Sequence, residues 1–331
     1  MSPEAPRVTV IVTCFNHDRF LVECLESVRA QTHRNVELII IDDCSTDGSR
    51  ERIASWLGAT GVSARFIAHT RNIGICRSRN EGLRHASGKY VAAIATDDVW
   101  LPEKLAVQTA ILEREPETTA VVYSDALVMD EDGNALEPRF IERCRPFAEM
   151  PDGDIYRDLL VNNFIPAPGT LLRRSALQAV GPYDETLAFE DWDMWLRLAR
   201  RFRFVYYPVP VARYRIVATS LTRVLWGERR ADLAESFIRI RLKHVGQSGE
   251  MDRLQGAELT AELEVLYEHA HPRRCAYYRR VARCGCSERE FDLCLLARLR
   301  IPCAWTHRIG ATLSRRRRDP AASAPETPRG S

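Results

Sequence analysis

The chain has 331 residues, 45% of them hydrophobic, and a formal net charge of +2. That is enough for one large folded domain or a domain with an appendage, and too balanced in charge for a nucleic-acid partner to be expected. The ten cysteines include no C-x-x-C pair, the opening stretch MSPEAPRVTVIVTCF lacks a basic region followed by a long apolar run, and no segment approaches a membrane span. A soluble protein in a reducing, cytoplasmic setting is the expectation.

In chain order, RVTVIVTCFN is a β-branched run closing on polar residues, and NHDRFLVECLESVRAQT then sets Phe20, Leu21, Cys24, Leu25 and Val28 at helical spacing. NVELIIIDDCSTDGSRERIASWLG repeats the strand, polar turn and helix, with Ile53, Trp56 and Leu57 on one face. ARFIAHT reads as a third strand, GICRSRNEGLRHASG as a helix stopped near Gly88, and KYVAAIATDD as a fourth strand. PEKLAVQTAILERE is predicted as a helix with Pro102 in its first turn, and TAVVYSD as a strand. This alternation predicts an α/β fold with a doubly wound, mostly parallel sheet.

Residues 126–190 are less regular and rich in Pro and Gly; FEDWDMWLRLARRF then reads as a helix and FRFVYYPVPVARYR as a strand. From about Glu228 the chain is predicted helical and Arg-rich. The expected layout is a domain over 1–227, a helical extension over 228–313 and a disordered basic, Pro/Ala-rich tail over 314–331. The run Arg315 to Arg318 points to peripheral contact with an anionic membrane surface.

Ligands of open α/β sheets bind beyond the carboxyl ends of the strands. Three such ends carry polar clusters: Thr13 and Asn16, Asp42 and Asp43, Asp97 and Asp98. Adjacent acids repel, so the last pair calls for a compensating cation.

The ordered motifs VTVIVTCFN, IIIDDCSTDGS, RNIGICRSRNEG, ATDDVW and LAFEDWDMWLRLA together resemble the family 2 glycosyltransferases of GT-A fold, over roughly Val8 to Thr222. The resemblance implies an enzyme that moves one sugar, with inversion, from a nucleotide-sugar donor to a saccharide or lipid-linked saccharide acceptor. It implies Thr13, Phe15 and Asn16 beside the nucleoside, Asp43 accepting from the base imide N–H, and Ser45 holding the turn. Asp47 and Ser49 read as ordinary turn residues. Arg79 becomes the candidate diphosphate contact, while Arg77 and Arg84 read as solvated helix charges. Gly169 and Thr170 border the donor sugar, and Arg173 and Arg174 read equally as exposed strand charges.

ATDDVW stands where the family places its D-x-D, with Thr96 at the first Asp position. Asp98 is then the ligand for Mg²⁺ or Mn²⁺, and Asp97 contacts ribose or metal-bound water. Asp191 is the general base that takes the acceptor proton, Glu190 orients the acceptor or loop, and Asp193 is a first-turn acid suited to the helix dipole. YRIVATSLT has Val217 where the family often has His, leaving Arg215 and Ser220 as further candidates. No Q-x-x-R-W occurs, which favours single-sugar transfer over polymerisation.

Two other readings compete: a nucleotide-sugar-binding scaffold without turnover, and a nucleotidyltransferase, against which the E-D pair argues. Cys275, Cys284, Cys286, Cys294 and Cys303 near His269 and His271 fit no standard zinc spacing and read as buried helical thiols. Donor sugar, base, acceptor and oligomeric state are left open.

Overall fold

The computed structural model describes residues 5–144, 149–246, 249–269 and 271–282. Strand β1 (Val8–Cys14) leads to α1 (Leu21–Arg29), β2 (Val36–Asp42), α2 (Ser49–Thr60), β3 (Ala64–Ala68), α3 (Ile75–His85) and β4 (Tyr90–Ala95). After the two-residue β5 (Val99–Trp100) come α4 (Lys104–Arg114), β6 (Thr119–Met129), the short β7 (Ala135–Leu136), α5 (Phe140–Cys144) and α6 (Tyr156–Val161). A 3-10 turn at Ala167–Gly169 opens β8 (Thr170–Arg173), followed by α7 (Arg174–Val180), α8 (Asp191–Ala199) and β9 (Arg203–Arg215). The described helices beyond are α9 (Leu221–Trp226), α10 (Arg230–Leu242), α11 (Gly249–Glu268) and α12 (Arg274–Ala282).

One sheet runs β3-β2-β1-β4-β8-β6-β9-β5, with β7 on β6. β1 pairs parallel with β2 and β4, so it is central and all seven of its residues are buried. That is why its sequence is a continuous apolar and β-branched run rather than an alternating one. β8 then enters antiparallel between β4 and β6, while β6 and β9 run parallel with two register shifts. The sheet is mixed in its second half, because β8 reaches β4 through its amino-terminal residues Tyr90 and Val91.

The core joins Val8, Val10 and Val12 of β1 to Leu21, Leu25 and Val28 of α1 and to Ile53 and Trp56 of α2. These are the positions picked out by helical spacing, and burying one such aliphatic side chain is worth about 1.5–3 kcal/mol.

Several local expectations change. Pro102 lies ahead of α4, whose first residue is Lys104. β6 runs on to Met129, well past TAVVYSD. Arg173 is no surface charge: it is 3% exposed and donates to the carbonyls of Thr119, Leu112 and Glu115, satisfying buried acceptors between β8 and α4.

The chain divides into two compact units, 1–236 and 237–331. The division falls inside α10, where the sequence reading places it at 227. No described helix is long and apolar enough to cross a membrane. The predicted tail over 314–331, and Cys284, Cys286, Cys294 and Cys303, lie outside the described residues.

Candidate active site

β1 ends at Cys14, and the chain turns out through Phe15 and Asn16, the latter in the left-handed region at φ 56°. β2 ends at Asp42 and turns at Cys44, φ 65°, a conformation that costs a non-glycine residue on the order of 1 kcal/mol. The two turns are laced together. Asn16 N–H donates to Ser45 Oγ at 2.9 Å, Asn16 Oδ1 accepts from Thr46 N–H at 2.7 Å, and Ser49 Oγ accepts from His17 N–H at 3.1 Å. Asp47 accepts from the amides of Asp18 and Ser49. Phe15 stands on this scaffold with 43% of its surface exposed.

Asp43 is already engaged. Its Oδ1 accepts from Ile73 N–H and from His69 Nδ1, and its Oδ2 from Gly74 N–H, each at 2.8 Å. Gly74 has φ 88°, so a side chain there would be strained. The N-x-G loop opening α3 is thus hung from the carboxylate of Asp43, the residue after β2.

At the end of β4, Thr96 N–H donates to the Thr13 carbonyl at 3.1 Å, binding this turn to β1. Asp97 and Asp98 follow, only 9% and 4% exposed. Burial first, and the neighbouring Asp97 charge second, push the Asp98 carboxyl well above the usual carboxylate range.

Arg215, at the end of β9, secures the pair. Its N–H donates to Asp98 Oδ1 at 3.0 Å and its Nε to the Asp97 carbonyl at 2.9 Å. Its Nη1 reaches the Asp130 and Glu131 carbonyls, its Nη2 pairs with Glu23 at 2.5 Å, and the guanidinium lies 4.9 Å from the Phe20 ring centroid. Arg215 therefore faces inward as a clamp, not outward as a phosphate contact. His17 Nδ1 is 3.0 Å from Thr96 Oγ1 and 3.8 Å from Asp97 Oδ1. Val217, in the place of the family's His, is 3% exposed and packs in the interior.

α8 begins at Asp191, with Glu190 in the N-cap position. Burial, followed by the charge of Glu190, pushes the Asp191 carboxyl up to about 7. Its Oδ1 accepts from Asn163 Nδ2 at 3.2 Å and from Trp192 N–H at 2.6 Å. An ordinary Asp, with pKa about 3.9, is ionised at neutral pH but is a weak base; this one holds protons far better. Asp193 is fully buried and accepts from Arg197 Nε at 2.8 Å, so it braces the helix.

Arg79 of α3 is 3% exposed; its Nη1 donates to the Ile11 carbonyl at 3.2 Å, and its Nε lies 3.9 Å from Glu190 Oε1 with no hydrogen-bond partner. It is brought to the site from beneath. Its charge acts on Asp98 as well, and the Tyr214 hydroxyl is raised first by burial and then by the charges of Asp98, Asp97 and Asp191.

Thr13, Phe15, Asn16, Asp43, Ser45, Asp97 and Asp98 are thus placed at the carboxyl ends of β1, β2 and β4 and in the turns that follow, and Glu190 and Asp191 at the start of α8. Gly169 and Thr170 are not presented with them. Both are buried, Thr170 Oγ1 donates to the Ala167 carbonyl, and the carbonyls of Gly169 and Thr170 accept from Gln108 and the fully buried Lys104. A Cβ on Gly169 would meet the Ser124 carbonyl at 2.5 Å, so the glycine serves a close backbone approach. His17, His69, Asn163 and Glu23 touch Thr96, Asp43, Asp191 and Arg215 without a sequence signal, since none stands in a motif. The pairing of His69 with Asp43 needs β2 and β3 laid side by side.

Among the described residues no group of three or more His, Cys, Asp or Glu converges as a ready-made metal site. Two adjacent buried carboxylates fit a hard cation that takes one or two carboxylates and completes its shell with phosphate and water. The chemistry of Asp97 and Asp98 therefore suits Mg²⁺ or Mn²⁺.

A mixed sheet with its polar turns at the carboxyl ends of the parallel strands, an acid pair after β4 and a second opening α8 is the arrangement of a GT-A glycosyltransferase. The profile of "Glycosyl transferase family 2" matches residues 9–181, and the chain belongs to that family. The putative teichuronic acid biosynthesis glycosyltransferase TuaG of Bacillus subtilis is 30% identical over 225 residues, covering 67% of this chain and 83% of TuaG. An uncharacterized glycosyltransferase of Rickettsia conorii is 28% identical over 58% of this chain, which spans only 31% of that relative's length. Among solved structures, S. aureus TarS 1–349 in complex with UDP-GlcNAc has a TM-score of 0.62 at 15% identity, covering 91% of this chain and 87% of TarS 1–349. The mannosyltransferase PcManGT of Pyrobaculum calidifontis, in complex with GDP-Man and Mn²⁺, has a TM-score of 0.55 at 17% identity, covering 91% of this chain and 86% of PcManGT. These likenesses establish the GT-A fold.

Proposed function

We propose that this chain is an inverting, cation-dependent glycosyltransferase that moves a single sugar from a nucleoside-diphosphate sugar to an acceptor hydroxyl. The observation that carries the reading is Asp191, a carboxylate opening α8 whose surroundings raise it to about 7. A base in that range suits proton abstraction at neutral pH.

In the transfer, the acceptor oxygen attacks the anomeric carbon, its proton passes to Asp191, and the bond from that carbon to the diphosphate breaks on the opposite face. Glu190, 3.9 Å from the Arg79 guanidinium, keeps negative charge beside Asp191 and so keeps it basic. Asp98, with Asp97, would hold Mg²⁺ or Mn²⁺, which when bound offsets charge on the departing nucleoside diphosphate. Phe15 offers a face to the base, and Asn16 and Ser45 keep that turn in place.

TuaG is named a putative teichuronic acid biosynthesis glycosyltransferase, and that supports a saccharide or lipid-linked saccharide acceptor here, met at the inner face of the membrane. The decisive experiment incubates the full chain and Mn²⁺ with a panel of nucleotide sugars and monitors donor hydrolysis and transfer. Turnover abolished by Asp98→Ala and Asp191→Asn is expected. Tight donor binding without turnover would instead establish a binding scaffold, and pyrophosphate release from a nucleoside triphosphate would establish a nucleotidyltransferase.

A further inference from the structure

A carboxylate offers about four acceptor positions. On Asp43 three are filled before any ligand arrives: Oδ1 accepts from Ile73 N–H and His69 Nδ1, and Oδ2 accepts from Gly74 N–H. One position on Oδ2 is left. The two amides are fixed by the loop. The third donor is a side chain, and its geometry fixes which way its protons point. His69 Nδ1 lies 2.8 Å from Asp43 and its Nε2 lies 2.8 Å from Glu81 of α3. Both neighbours accept only, so the ring donates to each and is an imidazolium.

Burial lowers the basicity of His69, but the bonds to Asp43 and Glu81 outweigh it and raise the ring above its ordinary value. Arg50 completes the surroundings by donating to the His69 carbonyl and to buried Asp42, and Arg84 stands 3.9 Å from Glu81. His69 therefore occupies one acceptor position of Asp43 permanently, and its side chain is only 10% exposed.

We infer that His69, by leaving Asp43 a single free acceptor, makes the donor site selective for a pyrimidine imide, as in a uridine or thymidine diphosphate, over guanine. The inference rests on the reading of Asp43 as the base contact. The Watson–Crick edge of uracil or thymine presents one N–H between two carbonyls and satisfies one acceptor. Guanine presents N1–H together with an amino group on the same edge, and only one of these donors can be met at Asp43. Unless another acceptor meets it, the second is desolvated without a partner, which costs about tenfold or more in affinity. His69 is a positioning residue: it acts through Asp43 and does not touch the ligand.

The test is a nucleotide panel on the full-length protein with Mn²⁺, measuring dissociation constants for UDP, dTDP and GDP by titration calorimetry. UDP and dTDP are expected to bind at least about tenfold tighter than GDP, and Asp43→Asn to abolish that preference. His69→Ala, and separately His69→Asn, are expected to narrow the UDP-to-GDP ratio, a readout that general loosening of the fold would not move. The wild-type ratio alone tests the inference should either variant fold poorly. GDP binding as tightly as UDP, with both weakened by Asp43→Asn, overturns the acceptor count. UDP binding that Asp43→Asn leaves unchanged overturns the base contact, and no binding of any nucleoside diphosphate overturns the transferase reading beneath it.

Discussion

The two acid sites of this chain are held in opposite ways. In the first half, Asp43 is held by two backbone amides and an imidazolium, and the Asp97–Asp98 turn is pinned by the backbone and guanidinium of Arg215. Those carboxylates are oriented before a ligand arrives, as binding requires. In the second half, Asp191 receives one side-chain bond, from Asn163, and the amide of the next residue, while Glu190 pushes its basicity up. On the proposed reading, orientation belongs to the half that would hold the nucleotide and reactivity to the half that would meet the acceptor.

The largest expected effect breaks the reactive side alone. Asp191→Asn removes the base and should lower kcat by about 10² to 10⁴ while leaving donor affinity within a few-fold, measured by steady-state transfer and by titration. The same substitution should stabilise the fold. An Asp raised from about 3.9 unfolded to about 7 folded binds a proton that the unfolded chain releases, so stability falls as pH rises between those values. Urea midpoints at pH 8 should favour the Asn variant by about 2 kcal/mol, and the gap should close near pH 4. A variant less stable at pH 8 would contradict the raised carboxyl.

Breaking the oriented side should look different. Arg215→Ala deletes four side-chain hydrogen bonds and leaves the Asp97 and Glu131 carbonyls and the Glu23 carboxylate without the guanidinium, while the Asp130 carbonyl keeps only the Gly133 N–H. A loss of about 2–4 kcal/mol in unfolding free energy is expected, with weaker Mn²⁺-dependent donor binding. Lysine should not rescue it, since a point charge cannot reproduce the fork.

The comparison sharpens with pH. The transfer rate should fall tenfold per pH unit below about 7, because the base must be unprotonated. Asn163 donates to Asp191 and favours its ionised form, so Asn163→Ala should move that limb to higher pH. A limb that stays put would remove Asn163 from the mechanism.

How much of this was legible in the sequence follows the same division. β1 to β4 alternate with helices whose apolar spacing is regular, so their order and the acid-bearing strand ends could be read directly. In the second half α8 and β9 could be read but their pairing could not: β8 inserts antiparallel between β4 and β6, a non-local pairing with no periodic signature, and β9 reaches β6 across two register shifts. The same non-locality hid Arg173, which looks like a surface charge in one dimension, and the role of Arg215, named only as a further candidate; both are buried guanidiniums spanning several elements. Gly169 and Thr170 are buried with their carbonyls engaged by Gln108 and Lys104, a packing role that a motif's proximity to a site does not reveal. His69 escaped because its role depends on Asp43 and Glu81, residues 26 and 12 positions away.

The smallest expected effect concerns Phe15, an exposed aromatic of the oriented half. Its ring is 43% exposed at the tip of a turn whose backbone is otherwise fixed by Ser45, Thr46 and Ser49. An exposed aromatic on a rigid turn costs solubility and gains nothing for folding, so its benefit must come on ligand binding. Stacking of a base on such a ring is worth about 1–3 kcal/mol by alanine substitution, and here one face stays open to water, so the low end applies. Phe15→Ala should therefore weaken UDP binding about fivefold to tenfold and leave kcat and the unfolding midpoint nearly unchanged. Phe15→Tyr should keep the affinity, because the π-face survives. A kcat loss in Phe15→Ala would mean that the nucleotide half helps set the reacting geometry, and the division between orientation and reactivity would have to be drawn elsewhere.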